Sequence, residues 1–139
     1  MYSFASIKIP GLFFINTTNS LYTQEFPDKG LSEEAKFIIH FNDEYLGEFR
    51  LSPVQGCCGM VVVSGMWLDK KYRGGIYSDE IRSLKEKLCK ALGYSVMLAT
   101  TQMKNTPAVR NMEKSGYKFV HSFVNKRTKN LLSVGIKDI

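Results

Sequence analysis

The chain has 139 residues, of which 44% are hydrophobic, so one domain spanning residues 1–139 and able to bury a core is expected, and no apolar run is long enough to span a membrane. Residues 57–139 include 15 basic and 6 acidic residues, whereas residues 1–56 include 4 basic and 7 acidic residues. The later part would therefore attract an anionic partner such as a nucleotide, a CoA-like cofactor or nucleic acid. The three cysteines include no C-x-x-C pair and the N-terminus has no strong apolar segment, which argues against a zinc site, a disulfide framework or a secretory signal and favours a cytoplasmic protein.

The first 35 residues have the least regular pattern. Residues 2–9 carry β-forming side chains with partial alternation, which predicts a first strand that ends at Pro10. Residues 12–15 form a short apolar patch, and residues 21–26 could form one or two helical turns before the Pro-Asp-Lys-Gly sequence at residues 27–30. No recognisable motif lies in this region, so it does not identify a substrate.

Alternation becomes regular from residue 36. Phe37, Ile39 and Phe41 recur at every second position, and a turn at residues 42–44 precedes a second run over residues 45–51, which predicts a β-hairpin. Residues 61–68 then form an apolar run without alternation, which is typical of a central strand buried on both faces. The side chain of Trp67 is accordingly expected in the core.

A glycine turn and a helix follow this strand. Gly74 and Gly75 allow a sharp turn and a close approach to a ligand, and Ser78 is the expected N-cap of the helix. An apolar stripe predicts that the helix continues to Gly93, and its members are Ile81, Leu84, Leu88, Ala91 and Leu92. A strand, a glycine turn and a helix N-terminus together are typical of phosphate binding, although an ordinary strand-to-helix connection would have the same pattern.

The remaining sequence predicts a strand, a short helix and two further strands. Residues 95–101 form an apolar strand that must pair in parallel with the central strand, because the intervening helix makes a crossover connection. Thr106 is the expected N-cap of the next helix, with Pro107 at its first position and its end at residues 115–116. Two alternating strands then flank a basic turn at residues 125–130.

This order of elements resembles the GNAT superfamily of acyl-CoA N-acyltransferases over about residues 36–137. One motif is LDKKYRGG at residues 68–75, which is similar to the family's strand end and pyrophosphate loop, and the other is NTPAVRNMEKSGYKFV at residues 105–120. The second matches the family pattern N-x-x-A…E-K-x-G-[FY] at Asn105, Ala108, Glu113, Lys114, Gly116 and Tyr117. The resemblance implies an α/β (α+β) single-domain fold, with a mixed, mostly antiparallel sheet, a central splayed parallel strand pair and flanking helices.

The resemblance also implies acetyl-CoA as the cofactor and an amine of an unidentified protein or small molecule as the acceptor. It places the backbone of Trp67, Leu68 and Asp69 along the pantetheine arm, as an added strand would lie, and Asn105 near the same arm. It assigns the pyrophosphate to the loop formed by Arg73, Gly74, Gly75, Ile76, Tyr77 and Ser78.

Two departures from the family pattern bear on activity. The family loop reads R-G-x-G-x-G or A, whereas residues 76–78 here add side chains where the backbone should approach phosphate. The tyrosine that many members use as a general acid falls at Met112, which cannot donate a proton. An alternative is therefore a catalytically degenerate GNAT-like binding or structural protein, such as a phage-encoded one. A third reading is a nucleic-acid module, based on the basic turn near Lys126.

Other candidate residues have ordinary structural interpretations. Glu48 and Asp69 could face an acceptor as a general base, but carboxylates on strands usually have no special role. His40 and His121 are expected to be hydrogen-bonded structural residues. The cysteine pair at residues 57–58 is interpreted as small residues at a strand entrance.

Overall fold

The computed structural model describes residues 3–17, 31 and 33–139. Within these residues the chain forms eight strands and two helices. The strands are β1 (Ser3–Ala5), β2 (Leu12–Asn16), β3 (Ala35–Phe41), β4 (Glu44–Pro53), β5 (Met60–Leu68), β6 (Val96–Gln102), β7 (Lys118–Val124) and β8 (Leu131–Asp138). The helices are α1 (Gly75–Ala91) and α2 (Thr106–Lys114), and a 3₁₀ turn, Lys70–Tyr72, precedes α1. The predicted helical turns at residues 21–26 lie outside the described residues.

All eight strands belong to one sheet, in the order β1-β2-β3-β4-β5-β6-β8-β7. Every neighbouring pair is antiparallel except β5 and β6, which are parallel. Residues 60–62 of β5 pair with residues 96–98 of β6, and beyond these positions the two strands diverge. The predicted mixed sheet with a central splayed parallel pair is confirmed.

The N-terminal segment forms two strands where one was predicted over residues 2–9. β1 ends at Ala5, because Ser6 turns the chain inward and its hydroxyl donates to Oε1 of Glu80 on α1 (2.8 Å). The same hydroxyl accepts from the N–H of Ile9 (3.0 Å), which fixes the turn that leads into β2. The apolar patch at residues 12–15 is therefore a strand of its own.

The hydrophobic core lies between α1 and one face of the sheet. Alternate residues of β2, β3 and β4 are buried on this face, and the Phe49 ring contacts the Phe14 ring edge-on (4.9 Å) and stacks on the Phe37 ring (5.3 Å). The α1 stripe contributes the buried side chains Ile81, Leu84 and Leu88. Because each fully buried aliphatic or aromatic side chain contributes about 1.5–3 kcal/mol, this face fixes the position of α1 on the sheet.

Both helices begin earlier than the sequence predicts. The N-cap of α1 is Gly74, not Ser78, since positive φ angles at Gly74 (78°) and Gly75 (63°) reverse the chain there and Ser78 falls in the first turn. The N-cap of α2 is Asn105, not Thr106, because Oδ1 of Asn105 accepts from the N–H of Ala108 (3.2 Å). The predicted ends at Gly93 and Ser115 agree with the observed last helical residues.

Candidate functional site

A cleft of about 400 Å³ opens where β5 and β6 diverge. The diverging strands, α1 and α2 together form its walls. The residues that line the cleft include Met66, Leu68, Ser78, Arg82, Lys85 and Met112. Of the residues predicted to bind a cofactor, Leu68 and Ser78 line this cleft.

β5 directs backbone groups of Met66 and Leu68 into the cleft. On the other edge of the strand, the Asp69 N–H donates to a β4 carbonyl (2.7 Å), and the Trp67 carbonyl lies against Gly47 of β4. Backbone groups alternate sides along a strand, so those of Met66 and Leu68 point away from β4. Of the three residues predicted to hold a pantetheine arm, Leu68 therefore faces the cleft, whereas Trp67 and Asp69 face β4.

The predicted pyrophosphate loop connects the end of β5 to α1. Nε of Arg73 donates to the Leu68 carbonyl (2.7 Å), and the backbone N–H of Arg73 donates to the Lys70 carbonyl (3.2 Å), so this arginine closes the turn itself. Among the residues that the structure describes, no side chain caps the start of α1. The N–H groups at the beginning of a helix have no intrahelical acceptor, so those of Gly75 and its successors are directed at the turn with the positive end of the helix dipole.

The side chains of Ile76 and Tyr77 do not crowd this turn. Ile76 is 68% exposed, and the Tyr77 ring packs edge-on against Phe41 (5.3 Å) and Tyr72 (5.2 Å). Tyr72 in turn donates its hydroxyl hydrogen bond to Glu44 (2.8 Å). The extra side chains of the loop therefore face solvent and an aromatic cluster, and the backbone N–H groups remain accessible to an anion.

The charged groups that line the cleft are mostly cationic. Glu86 accepts from Nζ of Lys137 (2.7 Å) and pairs with Lys90 (3.4 Å); burial raises the pKa of its carboxyl, but these two lysines outweigh that effect and lower it. Arg82 forms an ion pair with Asp79. These pairs leave a positive field at the cleft, which suits an anionic ligand.

Comparison with known proteins rests on the structure, because no family model and no curated protein matches this sequence. A probable acetyltransferase of the GNAT family from Chromobacterium violaceum superposes with a TM-score of 0.67 at 18% identity, over 77% of this chain and 57% of that one. Mycobacterium smegmatis RimJ in complex with CoA-disulfide superposes with a TM-score of 0.65 at 15% identity, over 76% of this chain and 53% of RimJ. A variant of spermidine N-acetyltransferase SpeG from Vibrio cholerae superposes with a TM-score of 0.64 at 12% identity, over 77% of this chain and 65% of SpeG. The chain has the GNAT fold. It spans between about half and two thirds of the length of these three structures.

Within the GNAT fold of this chain, Met112 lies in the cleft wall contributed by α2. This is the position to which the family resemblance assigns a general acid. Tyr117, just after α2, also lines the cleft, and burial raises the pKa of its phenol. The cleft thus has a thioether at the expected position of the acid and a protonated phenol nearby.

The face of the GNAT sheet opposite α1 carries an exposed aromatic pair. Trp67 is 45% exposed and stacks on Tyr45 (5.9 Å), so its predicted core position is wrong. Glu48 lies directly across from Trp67 in the β4–β5 register and forms an ion pair with Lys36 (2.7 Å). On the same sheet His40 stacks on Phe13 (5.5 Å), and the hydrogen bond predicted for His40 stays a prediction.

β5 is buried on both faces only in part. Val61 and Val63 are buried, but residues 64–67 are exposed, because β6 no longer pairs with this half of β5. Gly65, with φ of 60°, lies beside the register shift between Glu48 and Arg50 of β4. The exposed half of the predicted central strand is the part that borders the cleft.

Asn105 does not line the cleft, since its side chain caps α2. The residues that sequence reasoning missed are Met66, Arg82 and Lys85. For Arg82 and Lys85 the signal was their helical spacing from Ser78, which places all three side chains on one face of α1. The sequence alone does not tell that this face borders an open cleft.

Proposed function

We propose that this protein transfers an acetyl group from acetyl-CoA to a primary amine. The observation that carries the proposal is the divergence of β5 from β6, which leaves the free edge of β5 and Ser78, in the first turn of α1, on one cleft. A strand edge can hold an extended ligand by backbone hydrogen bonds, and a helix N-terminus can hold phosphate. An acyl-CoA combines these two features in one molecule.

The residues of this chain would divide the work of binding. The backbone groups of Met66 and the N–H of Leu68, whose carbonyl already accepts from Arg73, would hold the pantetheine arm. The N–H groups of Gly75, Ile76 and Tyr77 would hold the pyrophosphate. Arg82 lies one turn further along α1, where a guanidinium favours an anion. Trp67 and Asp69 would contribute through the shape of β5, since their backbone groups face β4.

Catalysis would come mainly from positioning and from backbone N–H groups that polarise the thioester carbonyl. The amine would attack the carbonyl carbon and the thiolate of CoA would leave. Met112 cannot protonate this thiolate, so water or the Tyr117 phenol would supply the proton. The acceptor would be an amine of an unidentified protein or small molecule.

The test is calorimetric titration of the protein with acetyl-CoA, using two glycine variants. Gly75 (φ 63°) and Gly56 (φ 79°) both have positive φ and open space where a Cβ would lie, so tryptophan strains both similarly. We expect micromolar binding to wild type and to Gly56→Trp, and its loss in Gly75→Trp. A folded wild type that gives no heat with acetyl-CoA contradicts the proposal.

A catalytically degenerate binding protein is the second candidate, and Met112 is the observation that favours it. That protein would bind acetyl-CoA with the same dependence on Gly75 and would release no CoA thiol with any amine. None of the helices formed by residues 3–17, 31 and 33–139 is long and apolar enough to cross a membrane. A cytoplasmic setting stays a prediction, compatible with the free thiols of Cys57, Cys58 and Cys89.

A further inference from the structure

We propose that Lys85 is a second acceptor, acetylated by the acetyl-CoA that occupies the cleft of its own chain. This inference rests on the proposed function, since it requires acetyl-CoA in the cleft. It assigns a modification site to a side chain that neither the fold nor the binding of a cofactor requires.

The position of Lys85 places an amine beside the free edge of β5. Lys85 lies on α1 and lines the cleft, and its Nζ is 3.7 Å from Sδ of Met66 and 5.7 Å from the centre of the Phe49 ring. Met66 is one of the two residues that direct backbone groups into the cleft. An extended ligand along this edge would therefore pass next to the amine.

Lys85 has no ion-pair partner among the described residues. Glu86, which also lines the cleft, is occupied by Lys137 and Lys90, and the neighbouring Arg82 adds positive charge. Two other titratable groups lie near the amine: the phenol of Tyr117, which lines the cleft, and the buried thiol of Cys89, one helical turn along α1. Burial raises the pKa of both, so both stay neutral.

The surroundings keep part of the Lys85 amine neutral. Burial lowers the pKa of Lys85 from its ordinary 10.5 to about 8, so about one molecule in ten carries the free amine at pH 7. Only the neutral amine has the lone pair that attacks a carbonyl. Lys87, on the same helix, is exposed and provides an internal comparison.

The reaction balances without a further reactant. The Nζ lone pair forms a C–N bond to the acetyl carbonyl carbon, the C–S bond breaks, and the sulfur leaves with its electron pair. The nitrogen loses one proton and the thiolate gains one, so the products are an amide on Lys85 and CoA thiol. Since the amide is uncharged, it removes a partly buried charge that has no ion-pair partner among the described residues. Since the amide is stable, each chain reacts once.

The experiment follows acetylation of each lysine by peptide mass spectrometry after mixing wild-type protein with acetyl-CoA. We expect Lys85 to be modified at least about tenfold faster than Lys87, because binding places the thioester next to it. The rate should rise with pH and level off above about pH 8, following the pKa of the amine. Gly75→Trp should abolish the preference for Lys85, and Gly56→Trp should keep it.

Calorimetry on the same samples separates the two proposals. If wild type binds acetyl-CoA and Lys85 reacts no faster than Lys87, this inference is overturned and the proposed function stands. If acetyl phosphate, which lacks the CoA moiety, modifies Lys85 with the same preference, the site is merely a reactive amine and the inference is overturned. A folded protein that does not bind acetyl-CoA overturns both proposals.

Discussion

Replacing Gly47 with alanine should destabilise the protein through a backbone clash. Gly47 lies on β4 opposite Leu68 of β5, and a Cβ at this position would overlap the Trp67 carbonyl oxygen and approach Cα of Leu68 to 3.0 Å. Both atoms belong to the backbone, so they can move only if β5 moves away from β4. Overpacking that requires such shifts costs about 1–3 kcal/mol.

Gly135 of β8 provides a matched control. A Cβ at this position would meet the terminal methyl of Met112 at 2.7 Å and atoms of the Tyr117 side chain at 3.3 Å or more. The end of a methionine side chain moves easily, so Gly135→Ala should cost less unfolding free energy than Gly47→Ala. The difference between the two variants therefore measures how rigidly β4 and β5 are held together.

Equilibrium unfolding in urea, with circular dichroism as the signal, gives both free energies, and an unchanged m-value shows that only stability has changed. Calorimetry should also show weaker acetyl-CoA binding to Gly47→Ala, because Met66 and Leu68 move with Trp67. If Gly47→Ala is as stable as Gly135→Ala, the Trp67 carbonyl does not lie against β4. The assignment of Met66 and Leu68 to the cleft edge would then fail.

Three other substitutions test separate parts of the structure. Met112→Tyr should raise kcat for acetyl transfer with little change in KM for acetyl-CoA, because it adds a phenol that can protonate the leaving thiolate. Met112→Phe, which adds a ring without a hydroxyl, should not raise kcat. Equal effects of the two variants would contradict this role. Ser6→Ala should lower the free energy of unfolding in urea by about 1–3 kcal/mol, because it removes the hydroxyl that donates to the buried Glu80. An equal loss of unfolding free energy in Ser83→Ala, at an exposed position, would refute this reasoning. Lys85→Met should have a higher free energy of unfolding than wild type at pH 7. This difference should shrink between about pH 8 and 10.5, because in that range the unfolded wild-type chain holds a proton on Lys85 that the folded chain has lost. An advantage that is constant over this window would contradict the pKa.

The hairpin of β3 and β4 and the main helix were predictable because their signals are local and repeated. Phe37 and Ile39 alternate, and the stripe through Ile81, Leu84 and Leu88 has helical spacing, so each element is specified many times over. The helix starts were harder to predict. Asn105 and Thr106 are both good N-caps, and α1 begins at glycines whose φ angles, not their side chains, decide the start.

The cleft could be predicted only in outline, because it depends on contacts between distant parts of the chain. Trp67 belongs to an apolar run that would be buried if β6 followed β5 along its whole length. Its side chain instead stacks on Tyr45 and is 45% exposed, and no residue near Trp67 signals that β5 and β6 diverge after residue 62. Among the described residues Lys85 has no ion-pair partner, which likewise depends on Lys137, 52 positions further along the chain, because Lys137 occupies the nearby Glu86.

The short parallel seam between β5 and β6 has a consequence for how the sheet holds together. Only three register positions join the five-stranded half, β1 to β5, to the three-stranded half formed by β6, β8 and β7. Most of the buried side chains of the core lie on the larger half and α1, so the smaller half should open at a lower free energy and exchange its amide hydrogens sooner. A ligand that bridged the seam would tie the two halves into one cooperative unit, and its binding would slow exchange in strands that it does not touch.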